Sequence, residues 1–330
     1  MVLRISPAPH MHAKTNTRSL MLDVIIALLP TAAAGIYIFG ANAALTLAIS
    51  TVSAVLTELI YQLIRRQELR VNDLSAVVTG LILGLNLPSS APWWLPVIGS
   101  ALAIIIVKQL FGGLGDNFMN PAMAARGILL ASWSLRMTTF NVPSYFTGVD
   151  AVAEATPLVL DPAKMSSVLD LFLGRIPGSI GEVCKAAILV GLVYLLIRKV
   201  ISWRIPVVML GTVALFTWIF SDNPVIALFS GGNMTGEILV QSLSAPVHAL
   251  LTGGVMFGAV FMATDYSTSP MTNKGQIIYA AIIGFIVVIL RRFGTYPEGV
   301  TYAILLGNIA APLIDKYAKQ RVYGEVKGNA

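Results

Sequence analysis

Charge is what this sequence has least of. Only 12% of its 330 residues are Asp, Glu, Lys or Arg, against about 25% in an ordinary globular domain. That excludes a conventional water-soluble enzyme domain. Cysteine is nearly absent: the single Cys184 rules out an internal disulfide and a cysteine-ligated cluster built by this chain alone. Its place fits a small apolar residue at a helix start. Histidine is scarce too. His10 and His12 sit in a short basic tail with Lys14 and Arg18, and His248 lies in an apolar run, where a satisfied core histidine is the expectation. No metal-ligand set is visible. Also missing are a glycine-rich dinucleotide fingerprint, a phosphate-binding P-loop and a Ser-His-Asp set, so the chain is not expected to bind a nicotinamide dinucleotide itself. No basic run is interleaved with aromatics. The net charge of +6 therefore reads as loop Lys and Arg and not as a nucleic-acid surface.

What is abundant is apolar: 56% of the residues are hydrophobic and the mean hydropathy is +0.78. The chain reads as an all-α integral membrane protein. A spanning helix needs about 20 apolar residues, fewer if packed or re-entrant. Spans are expected near 20–40, 42–64, 74–88, 93–111, 121–133, 186–200, 206–221, 243–263, 276–290 and 299–314. That makes about ten transmembrane helices. Basic residues precede the apolar run from Leu20, but more membrane sequence follows, so the first span is read as kept and not as a cleaved leader. Three regions result. Residues 1–133 hold an N-terminal tail and the first membrane half, 134–185 an external loop, and 186–330 the second half with a C-terminal tail.

Lys and Arg set the orientation. With the N-terminus in the cytoplasm, the inside segments hold Arg4, Lys14, Arg18, Arg65, Arg66, Arg70, Arg198, Lys199, Arg204, Lys274, Lys316, Lys319, Arg321 and Lys327. Both termini are then cytoplasmic, and 134–185 faces the periplasm or exterior of a cell inner membrane. Arg291-Arg292 runs against the rule.

A weak internal repeat is visible. Leu74-Ser-Ala76 precedes Thr79-Gly80, and Leu243-Ser-Ala245 precedes Thr252-Gly253; Asn120-Pro-Ala122 has a distant echo in Asn308-Ile-Ala-Ala-Pro312. Two five-span halves must be inverted, because five is odd, and inverted repeats with broken helices at mid-membrane are a transporter architecture. Two stretches cannot be plain lipid-facing helices: Phe111–Gly127, with four glycines and a proline, and Phe261–Gly275, with Asp265 and Pro270. Irregular backbone at membrane depth must be buried in protein or line a wet cavity. These two are expected to be either ordinary loops or walls of a pocket at the repeat axis. Arg126 falls within the fifth span, where a charge is costly and often functional; Asp116, Asp265 or an anionic cofactor could pair with it.

Asp150-Ala-Val-Ala-Glu-Ala155-Thr156-Pro157-Leu158 lies near the midpoint of the chain, in a segment too polar to span. A Thr followed by Pro makes a good helix start, Thr as N-cap and Pro at the first helical position. The same residues resemble the flavinylation motif of RnfD, a membrane component of the Rnf electron-transport complex, and of its relative NqrB in the sodium-translocating NADH:quinone reductase. Asp150, Ala155 and Thr156 fit that motif, while Ala153 and Glu154 depart from it. Gly-Gly-x-Gly, Asn-Pro-Ala and Ala-Thr-Asp followed by Thr-Ser-Pro are similar to the same family, which spreads the resemblance over most of the chain.

The resemblance implies a urea-transporter-like fold of two inverted five-helix repeats. It implies FMN joined to Thr156 through a phosphoester, with Asp150, Ala155, Pro157, Arg126 and Asn120 about the flavin. A second, non-covalent flavin such as riboflavin is a further expectation. The complex would move electrons between ferredoxin and NAD, coupled to sodium-ion or proton transport. The chain would be an incomplete enzyme alone. It would need other membrane, flavin and iron–sulfur subunits, and a flavin transferase for maturation. The alternatives are the quinone-reductase component, against which the N-terminal extension is brief, and a flavin-free urea-type channel or scaffold.

Overall fold

The structure is a computed structural model that describes residues 16–141, 153–154, 167–220, 236–294 and 299–318. Helix occupies each of the ten stretches expected to be apolar spans. α1 (Thr17–Phe39) and α2 (Ala41–Ile64) are joined by one residue, Gly40, whose φ of 71° a side chain would oppose. A 3₁₀ turn at Val71–Asp73 leads into α3 (Ser75–Leu85). There Asp73 Oδ1 accepts from the Ser75 amide and hydroxyl, at 2.8 and 2.6 Å. α4 (Trp94–Leu102) continues as a π-helix over Ala103–Gln109. α5 (Pro121–Ser132) and α6 (Ser134–Thr138) follow. Phe140 and Asn141 then pair antiparallel with Glu154 and Ala153.

After α7 (Val168–Leu173) come α8 (Lys185–Ile197), for which Cys184 is the N-cap, and α9 (Arg204–Phe220). α10 (Gly236–Leu251) breaks at Thr252–Gly254 before α11 (Val255–Phe257), which runs on as a second π-helix over Gly258–Met262. α12 (Asn273–Phe293) and α13 (Val300–Tyr317) complete the fold.

Length separates these helices. Among the described residues, α1, α2 and α12 are long and apolar enough to cross a bilayer. The expected eighth span is not one helix: Ser244–Leu251 and Val255–Met262 meet at 68°. The 11 residues of α3, the 12 of α5 and the 13 of α8 reach only about 16–20 Å at 1.5 Å per residue. A bilayer core is about 30 Å thick, so these three do not cross alone.

The repeat motifs are also displaced. Leu74-Ser-Ala76 opens α3, whereas Leu243-Ser-Ala245 lies inside α10; Asn120 caps α5, whereas Asn308 lies inside α13. These pairs do not occupy matching positions.

α2 shows why the fold belongs in lipid. Its buried face is Ala43, Thr46, Leu47, Ser50, Ala54, Glu58 and Gln62, and its exposed face carries Leu45, Val52, Leu56, Ile60 and Leu63. A helix of a water-soluble protein has the opposite pattern. Without a hydrophobic drive between helices, close packing and polar contacts hold them. Glycine supplies the close approach at three principal pairs. A Cβ at Gly80 of α3 would lie 2.7 Å from Thr51 Cα of α2. One at Gly284 of α12 would lie 2.8 Å from the Met209 carbonyl of α9. One at Gly191 of α8 would run into the Ala27 carbonyl of α1.

Gly80→Leu should therefore force α2 and α3 apart. Overpacking of this kind costs about 1–3 kcal/mol, and the melting temperature of the full chain in detergent should fall by several degrees. Gly211→Ala, where an added Cβ meets nothing within 4 Å, is the control and should leave it unchanged. Equal melting of both variants would show that the α2–α3 contact is not so tight.

Candidate functional site

The two glycine- and proline-rich stretches meet. Asn117 Nδ2 donates to Ser267 Oγ at 3.2 Å, and Asn120 Nδ2 to the Met262 carbonyl at 3.4 Å. Between them lies a cavity of about 80 Å³, partly open to solvent. Val78, Ile82, Val260 and Phe261 are among its apolar lining, and Asn117, Asn120, Thr264, Asp265 and Ser267 among its polar lining. Asn120 also caps α5: its Oδ1 accepts from the amides of Ala122 and Met123, as the Asn-Pro order favours. Left-handed backbone at Gly112, Gly113 and Gly115, with φ of 100–122°, folds the first stretch under the cavity. In the loop beyond the helices, Asp265 Oδ1 accepts from the Ser267 amide and hydroxyl at 3.2 and 2.9 Å. Burial pushes the Asp265 carboxyl up from the usual carboxylate range, and the Ser267 bonds oppose that shift.

Lys108 joins this cavity to a second, polar hollow lined by Glu58, Gln62, Glu68, Arg70, Asp73 and Gln109. Lys108 and Glu58 form an ion pair at 2.8 Å, with side chains 2% and 1% exposed. The ammonium also donates to Ser75 Oγ at 2.5 Å, and Glu58 Oε1 accepts from Gln109 at 2.8 Å and from Gln62 at 3.2 Å. So buried a pair persists only because its hydrogen-bonding capacity is nearly all met.

Arg126 is 3% exposed and lies farther along α5. Its Nη1 donates to Asn86 Oδ1 at 3.1 Å and to Thr301 Oγ1 at 3.2 Å. The carboxylates considered as its partners, Asp116 and Asp265, are not paired with it. The reason is depth: Asp116 and Asp265 lie in the loops below α5, whereas Arg126 faces the end of α3 and the start of α13. At the α10–α11 break, Arg291 donates to the carbonyls of Ala249 and Thr252 at 2.6 and 2.8 Å. Its departure from the inside-positive pattern thus has a local cause: it caps the end of α10. His248 is not fully satisfied: its Nδ1 is buried without a hydrogen-bond partner among the described residues.

Of the expected flavin residues, Asn120 and Arg126 are therefore described, on different levels of α5. Thr156, Asp150, Ala155 and Pro157 lie outside the described residues. Glu154, two positions before Thr156, pairs with Phe140 just beyond α6. Sequence reasoning missed Glu58, Lys108 and Lys185. The signal was present, since Glu58 and Lys108 each fall inside an expected apolar span.

The model of the NQR2, RnfD, RnfE family matches residues 4–324. The chain belongs to that family. Among curated proteins, it is 47% identical to the D subunit of the Na(+)-translocating ferredoxin:NAD(+) oxidoreductase complex of Acetobacterium woodii, over 98% of this chain and 96% of the relative. It is 39% identical to the D subunit of the proton-translocating ferredoxin:NAD(+) oxidoreductase complex of Clostridium ljungdahlii, with the same coverage. It is 35% identical to the D subunit of the ion-translocating oxidoreductase complex of Escherichia coli, over 99% of this chain and all of the relative.

The Glu58–Lys108 ion pair is testable. Lys108→Met strands the Glu58 carboxylate and should cost about 3–5 kcal/mol, read as a fall in melting temperature of the full chain. Glu58→Gln combined with Lys108→Met should recover much of the loss. If the double variant is no better than Lys108→Met, the pair is not the source of the cost.

Proposed function

We propose that this chain is the flavin-carrying membrane component of an Rnf-type complex, relaying electrons between ferredoxin and NAD in step with sodium-ion or proton transport. The observation that carries the reading is the near-full-length similarity to three proteins whose names make them D subunits of ion-translocating oxidoreductase complexes. On that reading it works only with partner subunits, and it is matured by a flavin transferase. FMN is carried on Thr156, and the flavin supplies one-electron redox steps that no side chain here can.

A second, non-covalent flavin is assigned to the cavity between α3, α5 and α11 on the chemistry of its lining, and the walls would have to part to admit it, since the cavity holds only about 80 Å³. Pockets for such ligands are mostly apolar, with a few directed polar groups. The walls here are aliphatic and aromatic, and Asn117, Asn120 and Ser267 offer amides and a hydroxyl to the polar edge of a flat ring.

The topology we propose has ten membrane-embedded segments in two inverted halves, urea-transporter-like, in the cell inner membrane. The packing order supports it: α2 packs on α3 and α4 as α9 packs on α10 and α12, while α1 meets α8 and α5 meets α13. A two-fold relation between halves brings their first helices together and their last helices together in this way.

Thr156→Val tests the flavin. It removes the hydroxyl at nearly constant shape, so the fluorescent band on a denaturing gel of protein co-expressed with a flavin transferase should vanish while expression persists. If Thr156 is only a helix cap, neither form is fluorescent and at most about 0.5–2 kcal/mol of stability is lost. An adduct that survives in the Val variant would move the flavin elsewhere. For the topology, reporter fusions should be cytoplasmic at residue 330 and external near residue 165; a cytoplasmic signal at 165 would reverse it.

A further inference from the structure

Lys185 is the side chain this fold has least reason to tolerate. It is wholly buried and stands at the first position of α8, where the helix dipole disfavours a cation. A buried ammonium persists only where other oxygens replace its water. Here Nζ donates to the backbone carbonyl of Glu182 and, at 3.4 Å, to that of Gly253. Gly253 lies in the break between α10 and α11, whose arms meet at 68°. Unwound carbonyls and the C-terminal ends of half-helices are what membrane transporters use to hold small monovalent cations.

Two more oxygens at the same place are unused. Glu182 is 4% exposed. Its Oε1 accepts from the Ser179 amide at 3.1 Å, but Oε2 has no hydrogen-bond partner among the described residues. A Cβ on Gly254 would lie 3.2 Å from that Oε2, so the oxygen faces the break. Ser179 Oγ, on a residue 1% exposed, is also without a partner among them.

We infer that Lys185 is a tethered cation: its ammonium fills a monovalent-cation position formed by the carbonyls of Glu182 and Gly253 and flanked by the Glu182 carboxylate and the Ser179 hydroxyl. With the lysine present, the positive charge at the helix break belongs to the chain and does not exchange. With it removed, the same oxygens take up Na⁺. The inference rests on the ion-translocating reading only for its meaning in the complex, where it makes this break a fixed post and not a stop on the ion's route.

The test uses the full chain in detergent, with binding of radioactive sodium at equilibrium and melting in NaCl against choline chloride. Lys185→Ala should bind an additional Na⁺ relative to the unsubstituted chain. Its lowered melting temperature should rise with NaCl to a plateau, and not with choline chloride. Lys185→Arg should do neither, and adding Glu182→Gln to Lys185→Ala should abolish the gain. Recovery of folded Lys185→Ala only when it is extracted in NaCl supports the inference as well. No gain in bound sodium, a gain indifferent to Glu182→Gln, or failure to recover the variant in either salt would overturn it. None of these readings involves the flavin or electron transfer, so their failure leaves the flavoprotein reading intact.

Discussion

Backbone amides and carbonyls at membrane depth must be bonded within the protein, because lipid offers them nothing. This constraint organises the second half of the chain. Where α10 breaks, the carbonyls of Ala249 and Thr252 receive Arg291, and that of Gly253 receives Lys185. Where α3 ends, the carbonyls of Leu85 and Leu87 receive the amides of Gly181 and Ile180, at 2.7 and 3.1 Å. The irregular segment ahead of α8 is thus stitched to the end of a helix from the first half, and two breaks satisfy each other. Arg126, bonded to Asn86 and Thr301, ties the same level to α13.

Packing follows from the same solvent. With apolar side chains free to face lipid, the interior has room for small residues and for polar ones that find partners. Glycines at 80, 191 and 284 bring helix backbones close at three contacts. The costly interior groups are concentrated at two levels. The Glu58–Lys108 pair stands beside the lower hollows, and Lys185 with Glu182 stands at the break. Each level is fixed by hydrogen bonds that reach across tens of residues in sequence, so the helices cannot slide without stranding a charge.

Much of this was legible in the sequence, because hydropathy in lipid is a direct record of which segments are embedded. All ten apolar stretches are helical, and the irregular stretches around Asn120 and Asp265 do meet at a cavity. Hydropathy does not report whether an embedded helix crosses, however. α3, α5 and α8 read as short spans, and their helices, of 11, 12 and 13 residues, are too short to cross the bilayer core alone. The shared tripeptides do not mark a repeat, because the fold places them at unlike positions. Arg126 reads as costly in the sequence, but its hydrogen bonds to Asn86 and Thr301 are not legible there, because pattern reading looks for opposite charge and these two partners are neutral. The Thr156 motif lies outside the described residues, and its resemblance stands on sequence alone.

The π-helix at Ala103–Gln109 has a consequence for how this protein can change. Such a turn holds a surplus residue inside a helix that would otherwise be regular. Here it lets two sequence neighbours, Lys108 and Gln109, reach the same carboxylate, that of Glu58. Removing one residue from this stretch would restore regular winding and alter the helix's phase more than its length. Lys108 or Gln109 would rotate away, and the glycine-rich turn after it would leave the cavity floor at a different bearing. Length variation in this family is then better accommodated in outer loops than here, where one residue sets the angle at which the loop carrying Asn117 and Asn120 enters the protein.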